Sequence, residues 1–261
     1  MAEPVYVYGV VPWSGGDDRH TAWTAGIGTG VGGAPVHLRA IGDLAAVVSL
    51  ASSDPIARTR RNMLTHTSVL ERVMPLATIL PLRFGTVAPD EAALAACICA
   101  NSSAFREALQ GIEGRVELGL KASWHKGSVF TDIVERDHGL RQMRDRLQTR
   151  PAGETYYERI ELGRRVEAAL AERRASETAA IMAELLPLAE RDAELRPHDE
   201  DMVLNRAFLV PQAAEAAFDA AVARIAERFG DRLEFRYVGP VPPFNFVSLR
   251  ADWLTQAGGS L

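Results

Sequence analysis

The chain has 261 residues, 47% hydrophobic and 24% charged, the balance of a globular protein with ample apolar surface to bury and a length that suits two domains. Lys and Arg total 29 against 34 Asp and Glu, and the net charge of −5 argues against a nucleic-acid or anionic-membrane footprint. Two cysteines make no disulfide framework, no run of about 18 apolar residues is present, and no secretory leader precedes Val5, so the expectation is a soluble protein of the reducing cytoplasm.

Val5 to Val11, rich in Val and Tyr, predicts a buried strand. A polar, Gly-rich connector follows to Gly33, then strands over Val36–Ile41 and Leu44–Leu50 split by the hairpin signal Gly42-Asp43. Asp54-Pro55 supplies an N-cap and a first helical proline, and Ile56, Met63, Thr67, Leu70, Val73 and Met74 share one face of the helix expected there. Thr78 to Val87 reads as a strand bent at Pro81, and Pro89-Asp90-Glu91 opens a helix to about Leu109. Val116, Leu118, Leu120, Ala122 and Trp124 alternate with Glu117, Gly119, Lys121 and Ser123, the pattern of a strand with one buried and one wet face.

Helical periodicity runs from Ser128 to Gln148, breaks at Arg150-Pro-Ala-Gly153 and resumes as a long helix over Glu154–Leu186. Leu162, Val166 and Leu170 form its early apolar stripe, while the polar stretch Ala171–Glu177 is expected to project into solvent or bend. Strands over Leu188–Arg196 and Met202–Val210, a helix over Pro211–Phe229 closed by Gly230, and a strand from Leu233 complete the chain. The fold class is therefore α+β: two domains of antiparallel sheets with packed helices. The N-terminal one covers residues 1–111, and the C-terminal one, 112–261, follows the β-α-β-β-α-β ferredoxin-like order with a helical insertion.

No catalytic constellation emerges. Gly28-Thr-Gly-Val-Gly-Gly33 matches a dinucleotide loop by letters but leads into a strand, so it reads as a flexible loop, and no cofactor is expected. Cys97 and Cys99 diverge on a helix and lack partners for a metal site; they read as core residues. His66, on an apolar helix face without a nucleophile nearby, reads as a buried histidine bonded to backbone. Arg83, between Leu82 and Phe84, calls for a carboxylate partner such as Glu71 or Glu113, or for a bound anion, and without a structural pair it reads as a contact residue. In the tail Pro242-Pro-Phe-Asn-Phe246, Phe244 and Phe246 are expected on one side of an extended segment, either closing a core or docking on another surface. Phe244, Phe246 and Arg83 are thus the candidate partner contacts.

Val5-Tyr-Val-Tyr-Gly-Val-Val11, Leu44-Ala-Ala-Val-Val-Ser49, Ile79-Leu-Pro-Leu-Arg-Phe-Gly-Thr86, Tyr156-Tyr-Glu-Arg159 and Gly239-Pro-Val-Pro-Pro-Phe-Asn-Phe-Val247 occur in that order. Together they resemble the gas vesicle accessory proteins of the GvpF/GvpL family. The resemblance implies two α+β domains and a non-enzymatic role in building the gas-filled, protein-walled compartments that give buoyancy. It also implies association with the small hydrophobic shell protein and other accessory proteins, as a minor structural component on the gas-facing surface or as an assembly factor, in the cytoplasm or its gas vesicles. The alternative from the fold alone is a small-molecule-binding enzyme or sensor on a ferredoxin-like scaffold, which a pocket lined by His66 and Arg83 would favour.

Overall fold

A computed structural model describes residues 3–15, 27–52, 55–125 and 127–247. Two compact units form, one from the described residues up to Glu117 and again over 240–247, the other over Leu118–Gly239. Each combines a sheet with packed helices, the α+β class expected. The tail, expected in the second domain, instead returns to the first unit.

In the first unit, strands β1 (Val5–Pro12), β2 (Val36–Ile41) and β3 (Leu44–Leu50) lie in the order β2-β3-β1 and pair antiparallel. The β2–β3 hairpin turns on Gly42-Asp43, with Ile41 opposite Leu44 and Gly42 at φ +65, as the first central position of a II′ turn requires. A bulge between Val7 and Gly9 rephases β1. Val5, Val7 and Val10 join one core cluster, while Tyr6, Tyr8 and Val11 join the other. Gly9 cannot be larger, because a Cβ there would stand 2.7 Å from the Leu80 carbonyl oxygen.

Both faces of β1 are therefore covered. Helices α2 (Glu91–Ala100) and α3 (Ser102–Gln110) close the valine face through Leu94, Ile98, Phe105 and Leu109. Helix α1 (Arg60–Val73) and a short 3-10 turn at Val31–Gly33 close the tyrosine face through Val69, Leu70, Val73 and Val31. The expected start of α1 at Asp54-Pro55 does not hold: Asp54 lies outside the described residues, Pro55–Arg58 is not helical, and Thr59 is the cap, its Oγ1 accepting from the Asn62 N–H at 3.2 Å. A helical phase drawn through Ile56 is misplaced for that reason. The buried face is His66, Val69, Leu70 and Val73, and Met63 is exposed.

The expected strand from Thr78 is two short ones, β4 (Leu80–Pro81) and β5 (Val87–Ala88), both pairing with β1. Pro81 has no N–H to continue a ladder, and Gly85 at φ +86 turns the chain between them. Asp90 caps α2 as expected, accepting from Ala93 at 2.7 Å. The single helix expected to run to Leu109 breaks at Asn101, whose side chain donates back to the Cys97 carbonyl at 2.8 Å. Cys97 is only half-buried and Cys99 exposed, so neither is the core residue expected.

The second unit holds a four-stranded sheet in the order β7-β8-β6-β9: β6 (Arg115–Trp124), β7 (Arg191–Glu194), β8 (Met202–Pro211) and β9 (Leu233–Val241). The first connection carries three helices, α4 (Ser128–Arg136), α5 (His138–Gln148) and α6 (Tyr156–Leu185), and α7 (Glu215–Phe229) precedes β9. The expected helix over 128–148 breaks where Asp137 caps α5 through the Leu140 N–H. The inward positions of β6 are buried as its alternation requires, but so is Glu117 on the side expected to be wet.

Helix α6 spans 30 residues and buries Ile181, Met182 and Leu185 at its C-terminal end. Its polar middle does not simply project into solvent. Glu177 is buried and accepts from the Trp124 indole N–H at 2.7 Å and from Arg173 Nε at 3.2 Å, while Arg173 also pairs with Asp132 of α4. Burial opposes the charge on Asp132, yet the guanidinium groups of Arg173 and Arg136 hold its carboxyl below the ordinary range.

Candidate functional site

The residues singled out in the sequence fall into two contrasting environments. On the tyrosine face of the first unit, His66 is 2% exposed and both its ring nitrogens are occupied. Nε2 lies 3.1 Å from the Leu82 carbonyl oxygen, which can only accept, so Nε2 carries the proton. Nδ1 therefore accepts from the Tyr6 hydroxyl at 2.8 Å, and that hydroxyl accepts from the Gly85 N–H at 3.0 Å. Burial lowers the His66 pKa to about 4, with the Leu82 bond opposing, and desolvation raises both tyrosines. The hydroxyl of Tyr8 accepts from the Val31 N–H at 2.7 Å and shares a 3.0 Å bond with Ser49.

The glycine segment belongs to this cluster. Val31 is buried, Thr29 pairs with Pro35, and the Thr29 carbonyl accepts from Arg72 at 3.0 Å. A Cβ on Gly30 would stand 1.9 Å from the Tyr8 hydroxyl. The flexible loop expected from its composition is, over residues 27–33, a packed cover, because its glycines let backbone approach the tyrosine rings.

Arg83 and Phe244 lie beside this core. In the turn Leu82–Thr86, the Leu82 N–H donates to the Tyr8 carbonyl, and the Arg83 carbonyl accepts from Thr86 Oγ1 at 2.7 Å. The Arg83 side chain is exposed and has no carboxylate partner among the described residues, so the expected structural ion pair is absent there. The turn directs the guanidinium outward while Phe84 packs edge-on to His66 at 5.9 Å. The tail forms a 3-10 turn over Phe244–Phe246 rather than an extended strand, because the Pro242 and Pro243 carbonyls accept from the Phe244 and Phe246 N–H groups. Consequently the two rings part: Phe244 is 38% exposed with its ring 6.3 Å from His66, whereas Phe246 is 7% exposed. Between them Asn245 donates to Glu117 twice, from its backbone N–H at 2.9 Å and from Nδ2 at 2.6 Å. Burial raises the Glu117 carboxyl, opposed by those two bonds. Sequence reasoning missed this clasp because Glu117 sits at an alternating position that reads as solvent-facing.

The second environment is open. A groove of about 1310 Å3 in the second unit is lined by the stripe Leu162, Val166 and Leu170 of α6, by Val129 and Phe130 of α4, by Trp124, and by the β7–β8 connection and β8 from Glu194 to Arg206. The stripe is only half-buried. Two buried polar atoms of the lining, Arg174 Nε and Asn205 Oδ1, have no hydrogen-bond partner among the described residues, and Asn205 is 6% exposed. Their other atoms are engaged: Asn205 Nδ2 donates to the Arg196 carbonyl at 2.8 Å, and Arg174 Nη2 to that of Glu200 at 2.6 Å, with the guanidinium 5.0 Å over Trp124. A buried acceptor left unmet costs about 1–3 kcal/mol.

The charges around the groove are unbalanced. Arg206 is paired with Asp192 and Glu194, and Arg159 donates to Thr155 Oγ1 and the Leu147 carbonyl. Glu167, Asp199, Glu200 and Asp201 form no ion pair among the described residues. The stripe was legible as an amphipathic period, but the opposing wall and the orphaned Asn205 were not.

Neither His66 nor Arg83 lines this groove. Among the described residues no three His, Cys, Asp or Glu side chains cluster in a way that could hold a metal ion, and no helix is long and apolar enough to cross a membrane.

Comparison with known proteins places these features in a family. The model for the gas vesicle synthesis protein GvpL/GvpF matches residues 4–248. Gas vesicle protein F of Dolichospermum flosaquae is 29% identical over 252 residues, covering 95% of this chain and 99% of that one. Gas vesicle protein F of Streptomyces sp. (strain CB03234) is 30% identical over 244 residues, covering 93% and 98%. The crystal structure of GvpF from Anabaena sp. PCC7120 superposes with a TM-score of 0.83 at 28% identity, and that from Microcystis aeruginosa with 0.77 at 27%; each comparison covers 95% of this chain and 100% of the other. From the β1 strand to the tail clasp, the chain belongs to the GvpL/GvpF family of gas vesicle synthesis proteins.

Proposed function

We propose that this protein is a non-enzymatic accessory protein of gas vesicle formation that binds the hydrophobic shell protein, as a minor structural component or an assembly factor, in the cytoplasm or on the gas-facing surface of the vesicle. Family membership over nearly the whole chain supports the gas vesicle role. The observation that carries the binding role is the half-buried stripe of α6 beside a groove of about 1310 Å3, an apolar surface the second unit leaves uncovered. A shell subunit with an apolar face is an aggregation hazard before assembly, and a soluble partner that covers it lowers that hazard. The small-molecule reading gains no support, since both ring nitrogens of His66 are committed inside the fold and the groove is lined by neither His66 nor Arg83. Co-expression of the tagged chain with the shell protein, followed by purification, tests the reading. Co-purification that survives washing is the expected result, and a shell protein that fractionates independently overturns it.

A further inference from the structure

Apart from Glu167, the row of α6 beside its apolar stripe is built of small residues. Gly163, Ala171, Ala175 and Ala179, spaced by multiples of four, all line the groove. Small side chains at that spacing let another helix approach closely, with the Leu162, Val166 and Leu170 ridge beside it. From Leu162 to Ala179 the helix offers about 25 Å, enough for a partner helix of four to five turns. Two further observations point to an absent ligand. Among the described residues, Asn205 Oδ1, buried in the lining, meets no donor, and Arg174 Nε meets no acceptor. Acidic groups also stand on both walls, Glu167 on α6 and Asp199, Glu200 and Asp201 in the β7–β8 connection; Arg206 is neutralised by its own carboxylates, and against these four carboxylates the lining sets the guanidinium groups of Arg159 and Arg174, bonded only to neutral groups.

We propose that this groove is the docking site for a basic amphipathic helix of another protein, its apolar face laid along the α6 stripe and its Lys or Arg residues set against the acidic walls. A basic helix supplies counter-charge to the four unpaired carboxylates, which outnumber the lining guanidinium groups of Arg159 and Arg174, whereas an acidic one meets like charge on both walls. The inference rests on reading the chain as a binding protein but does not require the shell protein to be the partner.

The test uses the full chain and two fluorescein-labelled 18-residue peptides, each with a Leu/Ala helical face, one with Lys and one with Glu on the polar face. Binding is read by fluorescence anisotropy at low and moderate salt. The Lys peptide is expected to bind and to weaken as salt rises, with the Glu peptide weaker by about tenfold or more. Ala175→Trp, which fills the groove from an exposed position, is expected to weaken the Lys peptide by about tenfold with an unchanged melting temperature, while Ala168→Trp, outside the lining, leaves binding intact. Equal binding of the two peptides, equal loss in both Trp variants, or no loss in Ala175→Trp overturns the proposal. So does a dimer in sedimentation that Ala175→Trp dissociates, which assigns the groove to a second copy. Failed shell-protein capture with intact, groove-dependent peptide binding overturns the shell reading alone and leaves the groove assignment standing.

Discussion

The tyrosine core of the first unit and the α6 groove of the second treat their buried polar groups in opposite ways. In the first, Tyr6, Tyr8 and His66 are hidden among apolar side chains, yet each hydroxyl and ring nitrogen has a partner supplied by a turn, a strand or the glycine segment. In the second, the groove leaves Asn205 Oδ1 and Arg174 Nε unmet among the described residues and an apolar stripe half-covered. A satisfied polar core in low dielectric is rigid and intolerant of change, whereas an unsatisfied, partly wet surface gains when something covers it. Stability therefore concentrates in the tyrosine core and capacity for binding in the groove, so substitutions in the two places should separate.

The largest effect is expected at Gly30. Its Ala variant places a methyl group 1.9 Å from the Tyr8 hydroxyl, so either the ring or the glycine turn must move, at a cost of about 3 kcal/mol. Chemical denaturation of wild type and Gly30→Ala checks this, and equal midpoints would show that residues 27–33 yield freely. A comparable effect comes from pH. His66 is held neutral, its pKa lowered from 6.5 to about 4, so the unfolded chain binds the proton more readily between those values. The stability carried by the neutral ring is complete above about pH 6.5 and is lost as pH falls towards 4, amounting to about 3 kcal/mol. Denaturant midpoints across that range should fall for wild type and fall less steeply for His66→Gln.

A smaller loss is expected at the tail. Asn245→Ala keeps the backbone bond to Glu117 but removes the side-chain one from a buried carboxylate, at about 1–2 kcal/mol. Proteolysis of the C-terminal segment at constant temperature measures it, and unchanged protection would show that the backbone bond suffices. The smallest change belongs to the groove. Val166→Gln, on the half-buried stripe, should alter stability by no more than about 0.5 kcal/mol while reducing capture of a partner. A large drop in melting temperature would make the stripe core rather than contact and erase the contrast between the units.

Much of this fold could be read from local pattern. The β2–β3 hairpin followed from Gly42-Asp43 between two apolar runs, the α2 cap from Asp90, the end of α7 from Gly230, and the length of α6 from its periodicity and the breakers before it. Each is decided by residues within one or two turns of one another. The misplaced start of α1 shows the limit. Asp54-Pro55 and Thr59 both offer start signals, and the choice depends on which residues of the helix meet the sheet. The candidate contacts divide in the same way. Phe244 and Phe246 carry the same side chain two residues apart, and only the 3-10 turn and the grip of Glu117 on Asn245 expose one and bury the other.

By itself the sequence determined the α+β class, most element positions and the family motifs, since periodicity, turn chemistry and caps act over a few residues. Tertiary structure alone decided that Arg83 faces outward without a partner among the described residues, that the glycine segment packs as a cover, and that Glu177 and Glu117 are buried. It also decided that Leu162, Val166 and Leu170 line an open groove rather than a closed core. The physical reason is common to all of them: desolvation and hydrogen-bond satisfaction depend on groups far apart in the chain, and no local pattern records which of those groups the fold brings within reach.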